Sequence, residues 1–257
     1  MSGQKPGLPG PAAGRLGSLD ALRGLAVLWM TAFHFAFDLN HFGFIRQDFY
    51  NSPVWTLQRT CILSLFLFCA GFGQALAAAS GQSWARFGRR WAQIAGCALL
   101  VSLGSWIMFP HSWIYFGVLH GMAVMLLVAR LTARWGRWLW LAGLVAVVLG
   151  WLAPQLHAAW PALRVLDQPA LNWIGFIGHK PVTEDYVPLL PWLAVMWWGM
   201  AAGHLALRRG WVGHGRGRRA PRFLAGPALV GRWSLTWYMV HQPLLTGLLT
   251  LALAVMR

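Results

Sequence analysis

LDALRGLAVLWMTAFHFAFDLN, Leu19–Asn40, carries Asp20, Arg23 and Asp38 and is otherwise free of fully charged residues. A helix needs about 20 apolar residues to cross the hydrocarbon core of a bilayer, and this stretch is that long. Six further runs have the same character: Val54–Ala79, Trp84–Phe109, Trp113–Arg130, Arg137–Ala153, Val187–Leu207 and Ala228–Met256. Lipid offers backbone amides no water, so runs of this length are read as helices. The sequence therefore predicts an all-α polytopic membrane bundle of about seven transmembrane helices. Hydroxyls at Ser18, Ser52 (before Pro53) and Ser112 suit N-caps for the first, second and fourth spans.

Composition agrees. The chain is 58% hydrophobic and 11% charged, where soluble domains carry about a quarter charged residues. Its 18 tryptophans suit a water–lipid boundary. The net charge of +15 does not call for nucleic acid, because 14 of the 21 basic residues fall in segments that share one side of a seven-span topology. These are Lys5 and Arg15; Arg86, Arg89 and Arg90; Arg130, Arg134 and Arg137; and Arg208, Arg209, Arg216, Arg218, Arg219 and Arg222. The other side holds Arg46, Arg164, Lys180 and Arg257 beside Asp48, Asp167, Glu184 and Asp185. Excess positive charge marks the cytoplasmic side, so the N-terminus is expected inside and the C-terminus outside. Residues 1–17, rich in Gly and Pro, read as a disordered cytoplasmic tail, and the first apolar run as a retained span rather than a signal peptide. Cys61, Cys69 and Cys97 lie inside apolar runs with no metal spacing, which argues against a disulfide scaffold. No internal repeat is visible. The longest outer loop, Pro154–Tyr186, reads as a lid or an interfacial segment.

Ionisable residues at membrane depth are costly and mark function by default. At ~1.5 Å of rise per residue, His34 and Asp38 fall in the outer third of the first helix, one turn apart, with His41 a turn further out. His120 of the fourth span and His241 and Gln242 of the seventh reach similar depth, joined by Arg59, Asp185 and Tyr186. An outer His–Asp pair can work as a general base, the carboxylate fixing the tautomer. A second layer, Arg23, Arg89, Arg90 and Arg232, lies near the cytoplasmic ends, and arginine forks match phosphate oxygens. Each residue has a plainer reading. Asp20–Arg23 can be an i,i+3 pair, Arg59–Asp38 a structural ion pair, Arg89 and Arg90 snorkelling anchors, and His120 and His241 packing residues. His34, Asp38, His120 and His241 match no recognised metal signature, and no metal is expected. Three functions fit these layers: acyl transfer, a proton-coupled small-solute transporter, and a non-catalytic scaffold.

The same residues carry a family resemblance. LDALRGLAVLWM (Leu19–Met30) followed by HFAFDL (His34–Leu39) resembles the first helix of the heparan-α-glucosaminide N-acetyltransferase-like catalytic-domain family. SLFLFCAGF (Ser64–Phe72), YFGVLHGMAV (Tyr115–Val124), DYVPLLPWLAV (Asp185–Val195) and GRWSLTWYMVHQPLL (Gly231–Leu245) extend the likeness, in order, over nearly the whole chain. The match is to the short bacterial branch. The resemblance implies that residues 18–257 form a transmembrane acyltransferase-like domain in the bacterial inner membrane. It implies acetyl transfer from cytoplasmic acetyl-CoA to an amino or hydroxyl group of a glycan or amino sugar outside. Taken together with the two layers, the expected roles are catalysis for His34, Asp38, His120 and His241, and acetyl-CoA binding for Arg23, Arg89, Arg90 and Arg232. His41, Arg59, Asp185, Tyr186 and Gln242 would bind substrate, and His120 or Tyr238 could donate to an oxyanion. His41 competes with His34 for the family's catalytic histidine. Acceptor identity, N- versus O-transfer and homo-oligomerisation stay open.

Overall fold

The computed structural model describes residues 16–212 and 220–256. The expected roles of Lys5, Arg15, Arg216, Arg218, Arg219 and Arg257, and nearly all of the 1–17 tail, lie outside the described residues. The elements are α1 (Gly17–His41), α2 (Pro53–Ala79), α3 (Trp84–Met108), α4 (Val118–Leu131), α5 (Trp138–Ala159), α6 (Leu189–Arg208), α7 (Ala225–Arg232) and α8 (Ser234–Met256), with short 3₁₀ turns at Pro161–Asp167, Asn172–Ile174 and Arg222–Leu224. No strand occurs among the described residues; one isolated bridge joins Phe116 and Tyr186. Six helices are long and apolar enough to cross a membrane, and α4 is a shorter apolar helix.

Side-chain pairs fix the directions. Trp29–Gln58 (3.1 Å) and the Phe33–Trp55 rings make α1 and α2 antiparallel. Trp91 donating to the Ala123 carbonyl (2.9 Å) and Ser102 meeting His120 do the same for α3 and α4. Gly143 against Trp198 and Gly150 against Pro191 set α5 antiparallel to α6. By contrast α2 and α6 run parallel, Phe68 at Gly199 and Ala75 at Gly203. So do α1 and α7–α8, with Asp20 at Gly231, Thr31 at Trp237 and Asp38 at Gln242. Successive long elements thus alternate, and α1 begins at one end of the bundle while α8 finishes at the other. The connections 80–83 and 132–137 and the segments 209–212 and 220–224 lie at the first end, with Arg86, Arg89, Arg90, Arg130, Arg134, Arg137, Arg208, Arg209 and Arg222. The connections 42–52, 109–117 and 160–188 lie at the second.

The core sits where α2, α4 and α6 meet, around the fully buried Leu67, Met125, Met196 and Met200. Small residues let the backbones touch, as in lipid, where close packing drives helix association. A Cβ at Gly71 would stand 1.9 Å from the Met196 carbonyl oxygen. α3 and α8 present long apolar side chains outward, Leu99, Ile107 and Leu251 among them, as a lipid-facing surface requires.

Four local expectations are corrected. Ser18 lies inside α1; Ser52 stands at the N-cap of α2 with Pro53 behind it, but its hydroxyl makes no cap bond. Ser112 donates instead to Glu184 (2.6 Å). The cap that forms is Ser83, whose oxygen accepts from the Arg86 amide at the start of α3. The fourth helix starts at Val118 rather than Trp113, because its lead-in is held extended: Ile114 donates to Ser105 (2.9 Å) and accepts from Ser102 (2.7 Å), and Val187 donates to the Phe116 carbonyl (3.1 Å). α5 continues through Pro154 to Ala159. The last run breaks at Trp233 into α7 and α8, where α7 is pressed onto α1.

Candidate functional site

Four of the side chains expected at one depth meet in the seam between α1 and α8. Gln242 donates from Nε2 to Asp38 Oδ1 at 2.7 Å. The rings of His34 and His241 stand edge to face, 5.2 Å between centroids. They meet because His34 and Asp38 share one face of α1, one turn apart, while His241 and Gln242 are adjacent on the parallel helix. Asp38 and His241 are buried. His241 Nδ1 lies 2.8 Å from the Tyr238 carbonyl and 3.2 Å from that of Trp237. Carbonyls only accept, so Nδ1 carries the proton and Nε2 the lone pair. That Nε2, Asp38 Oδ2 and Gln242 Oε1 are buried with no hydrogen-bond partner among the described residues. His34 makes ring contacts with Phe33 and His241 and no hydrogen bond with a described residue. His41 lies a turn beyond, on the exposed last turn of α1, within electrostatic reach of Asp38.

A second cluster stands at the mouth. Asp185 accepts from the Val118 amide at 2.7 Å and so caps α4 from another segment. Gly117 leaves the room for it, since a Cβ there would stand 2.4 Å from the carboxylate. Lys180, Arg59 and, across the gap to α8, Tyr238 lie within electrostatic reach of Asp185. Burial raises the Asp185 carboxyl above its ordinary range, opposed by the Val118 amide and by Lys180 and Arg59. Burial likewise lowers Lys180, helped by Arg59. The Arg59–Asp38 ion pair that the sequence allows does not form among the described residues. Tyr186 donates to the Asn172 carbonyl at 2.6 Å, so its hydroxyl is spent on the loop.

His120 shares the layer but not the seam. Its Nδ1 accepts from the Gly117 amide (3.3 Å), which puts its proton on Nε2, 3.0 Å from Ser102 Oγ, and Ser102 in turn donates to Ile114. Both ring nitrogens are thereby committed to holding the lead-in of α4 against α3. No group of three or more His, Cys, Asp and Glu among the described residues is arranged to hold a metal ion.

The expected inner arginine layer divides in two. Arg23 Nη1 lies 3.1 Å and Arg232 Nε 3.9 Å from the Asp20 carboxylate, which is buried where α1 and α7 touch. Arg23 also approaches Gly73 and Cys69 of α2. Arg89 and Arg90 are on α3, exposed, in a groove of about 500 Å³ with Gln82, Arg86 and Gln93. Sequence reasoning missed Ser102, Tyr115 and Asn172. Asn172 is buried in the outer loop and donates to the Tyr115 hydroxyl at 2.8 Å. Nothing periodic marks such residues.

A family model described as heparan-alpha-glucosaminide N-acetyltransferase, catalytic, matches residues 15–243. The chain belongs to this family. The match runs from the start of α1 to the residue after Gln242, so both walls of the His34–His241 seam lie inside it. No curated protein and no solved structure matches the chain. This is a membrane acetyltransferase family.

Proposed function

We propose that the protein moves an acetyl group from cytoplasmic acetyl-CoA to an amino or hydroxyl group of a sugar on the outer side of a bacterial inner membrane. In this reading α4 and its extended lead-in complete seven crossings, the arginine-rich first end faces the cytoplasm, and the second end faces out. The observation that carries the proposal is the seam: a half-buried histidine backed by a buried histidine and carboxylate and by a glutamine amide at membrane depth, in a chain of an acetyltransferase family.

The first end suits the donor's phosphates. Arg86, Arg89 and Arg90 line a groove where guanidinium forks can take phosphate oxygens. Arg23 and Arg232 already face Asp20, which orients them at the mouth between α1 and α7. The bound donor would supply an activated thioester carbonyl. His34 takes the proton of the acceptor's nucleophile; Asp38, held by Gln242, supplies negative charge one turn away. Asp185, with Lys180 and Arg59 around it, orients the sugar at the mouth, and the Tyr238 hydroxyl is the nearest donor for a developing oxyanion.

The test uses protein reconstituted in liposomes, labelled acetyl-CoA and glucosamine. Wild type should transfer label to glucosamine, and His34→Ala, with an unchanged unfolding midpoint, should lose at least about 100-fold in turnover. Equal turnover in His34→Ala would remove His34 from the chemistry, and His41→Ala would then be the variant to lose it.

A further inference from the structure

Three acceptor atoms are buried in the α1–α8 seam with no donor among the described residues: His241 Nε2, Asp38 Oδ2 and Gln242 Oε1. Buried acceptors without donors cost about 1–3 kcal/mol each, so a cluster of three is a costly arrangement for packing alone. Their polarity is not arbitrary. The Tyr238 and Trp237 carbonyls hold the proton of His241 on Nδ1, and Gln242 turns its amide nitrogen to Asp38, leaving its oxygen outward. The three unpartnered atoms all accept, and what they lack is a donor proton. The nearest aromatic ring that can bring one is His34, closer to His241 (5.2 Å) than Tyr238 is (5.9 Å).

We infer that His241 is a proton-relay residue behind His34, receiving at Nε2 the proton that His34 takes from the acceptor, with Asp38 and Gln242 as its counter-charge and clamp. The inference rests on the acetyl-transfer reading and deepens it. The balance closes on protons. The nucleophile's N–H or O–H bond breaks and its proton joins the free lone pair of His34. His34 then releases its other N–H proton to His241 Nε2 and is again neutral. The nucleophile's electron pair forms the new bond to the acetyl carbon, and the carbon–sulfur pair leaves on the thiolate. The proton held by His241 returns through His34 to that sulfur, so none is gained or lost overall. His241 acts through His34 and is a positioning residue, with its tautomer set in advance by the backbone.

The titratable groups facing this cluster are His34, Asp38 and His41 from α1, and Tyr238 and His241 from α8. From the outer loop, Asp185 reaches Tyr238, and Arg59 of α2 and Lys180 reach Asp185. In the wild type, premature protonation of the cluster at low pH closes the relay, so turnover should fall on the acid side.

The experiment measures kcat, KM and the pH profile for acetyl-CoA and glucosamine in liposomes, with wild type, His34→Ala, His241→Asn, His241→Gln and His241→Ala. The asparagine can keep a donor to the Tyr238 carbonyl, and the glutamine reaches toward the Nε2 position; neither accepts a proton. The expected result is a loss of about 100-fold in kcat for both, with KM for both substrates kept within about twofold, and an acid limb displaced from that of wild type. Added imidazole should recover about tenfold in His241→Ala, where the ring's space is vacated. Should one conservative variant fail to fold, the other carries the comparison. Wild-type kcat and pH profile in His241→Asn and His241→Gln, alongside an inactive His34→Ala, would overturn the relay and leave the acetyl-transfer reading standing. A wild type that transfers no acetyl group from acetyl-CoA would overturn both.

Discussion

Gly231→Ala adds one methyl group where α7 crosses α1. Its Cβ would stand 1.8 Å from the Asp20 carbonyl oxygen, and backbone atoms of α1 surround it. Ordinary contact begins at 3.4 Å, so the two backbones must part by about 1.6 Å. Neither partner is a flexible side chain, and the movement is passed to the helices. Gln242 lies eleven residues further along the same helical pair, and its bond to Asp38 is 2.7 Å. If half the displacement reaches it, the separation becomes about 3.5 Å, the outer limit of a hydrogen bond. Overpacking of this kind costs about 1–3 kcal/mol, and a misplacement of about 1 Å at a reacting centre can cost about 100-fold in rate. Gly247→Ala on α8 is the control, because nothing lies within 4 Å of a Cβ there. That variant should be neutral or gain up to ~1 kcal/mol from helix propensity. Thermal unfolding in detergent and acetyl transfer to glucosamine decide the matter. Gly231→Ala should melt lower and turn over slowly, whereas Gly247→Ala should do neither. Equal midpoints and equal rates for the two would refute the claim that the Gly24–Gly231 crossing sets the geometry of the seam.

Two other outcomes follow from the ends of the bundle. The folded Asp185 carboxyl titrates above its reference value of 3.8, chiefly through burial. A carboxyl with a raised folded pKa stabilises at acid pH and loses that contribution as pH rises through its folded value; wild type should therefore lose more midpoint than Asp185→Asn between about pH 4 and pH 7, and parallel curves would dismiss the effect. At the first end, replacing Arg86, Arg89 and Arg90 together by Gln should raise KM for acetyl-CoA at least about tenfold, a loss of ~1.4 kcal/mol, with kcat little changed; an unchanged KM would place the phosphates elsewhere, with Arg23 and Arg232 next to be tested.

The spans were legible because lipid leaves the backbone so few options. α1, α2 and α3 begin and end within two residues of the runs read from hydropathy. Apolarity said nothing of the two places where the chain leaves the helix. Trp113–Gly117 is as apolar as a helix, yet Ser102, Ser105 and Val187 hold its backbone groups from other segments. The break at Trp233 depends on α1 lying against Gly231. The candidate site was legible in one coordinate. Counting residues gives depth, and depth grouped His34, Asp38, His241 and Gln242, which the fold brings together in one seam. It also admitted His120, whose ring faces α3 and the start of its own helix. The missing coordinate is the direction a side chain faces around the bundle, set by which helices are neighbours. The arginines divide for the same reason: α7 brings Arg232 to Asp20, whereas α3, carrying Arg89 and Arg90, packs on α4.

Neighbourhood also links the two ends. α1 carries Arg23 and His34, eleven residues or about 16 Å apart along the axis. The parallel α7–α8 carries Arg232 and His241, nine residues apart across the break at Trp233. α1 and α7–α8 therefore each bring an arginine to Asp20 at one end and a histidine to the seam toward the other. Two antiparallel helices would pair one cluster of each with the opposite cluster of the other. On the proposed reading, a donor held at the first end and reacting at the second needs a reach of about 16 Å through the protein, roughly half of a ~30 Å hydrocarbon core. The parallel pairing of α1 with α7–α8 makes that distance a fixed property of the fold, set at the Gly24–Gly231 crossing and closed at Asp38–Gln242. A solute carrier whose access alternated by parting α1 from α7–α8 would have to break one of those contacts in each cycle; the acetyl transfer proposed above needs neither contact to open.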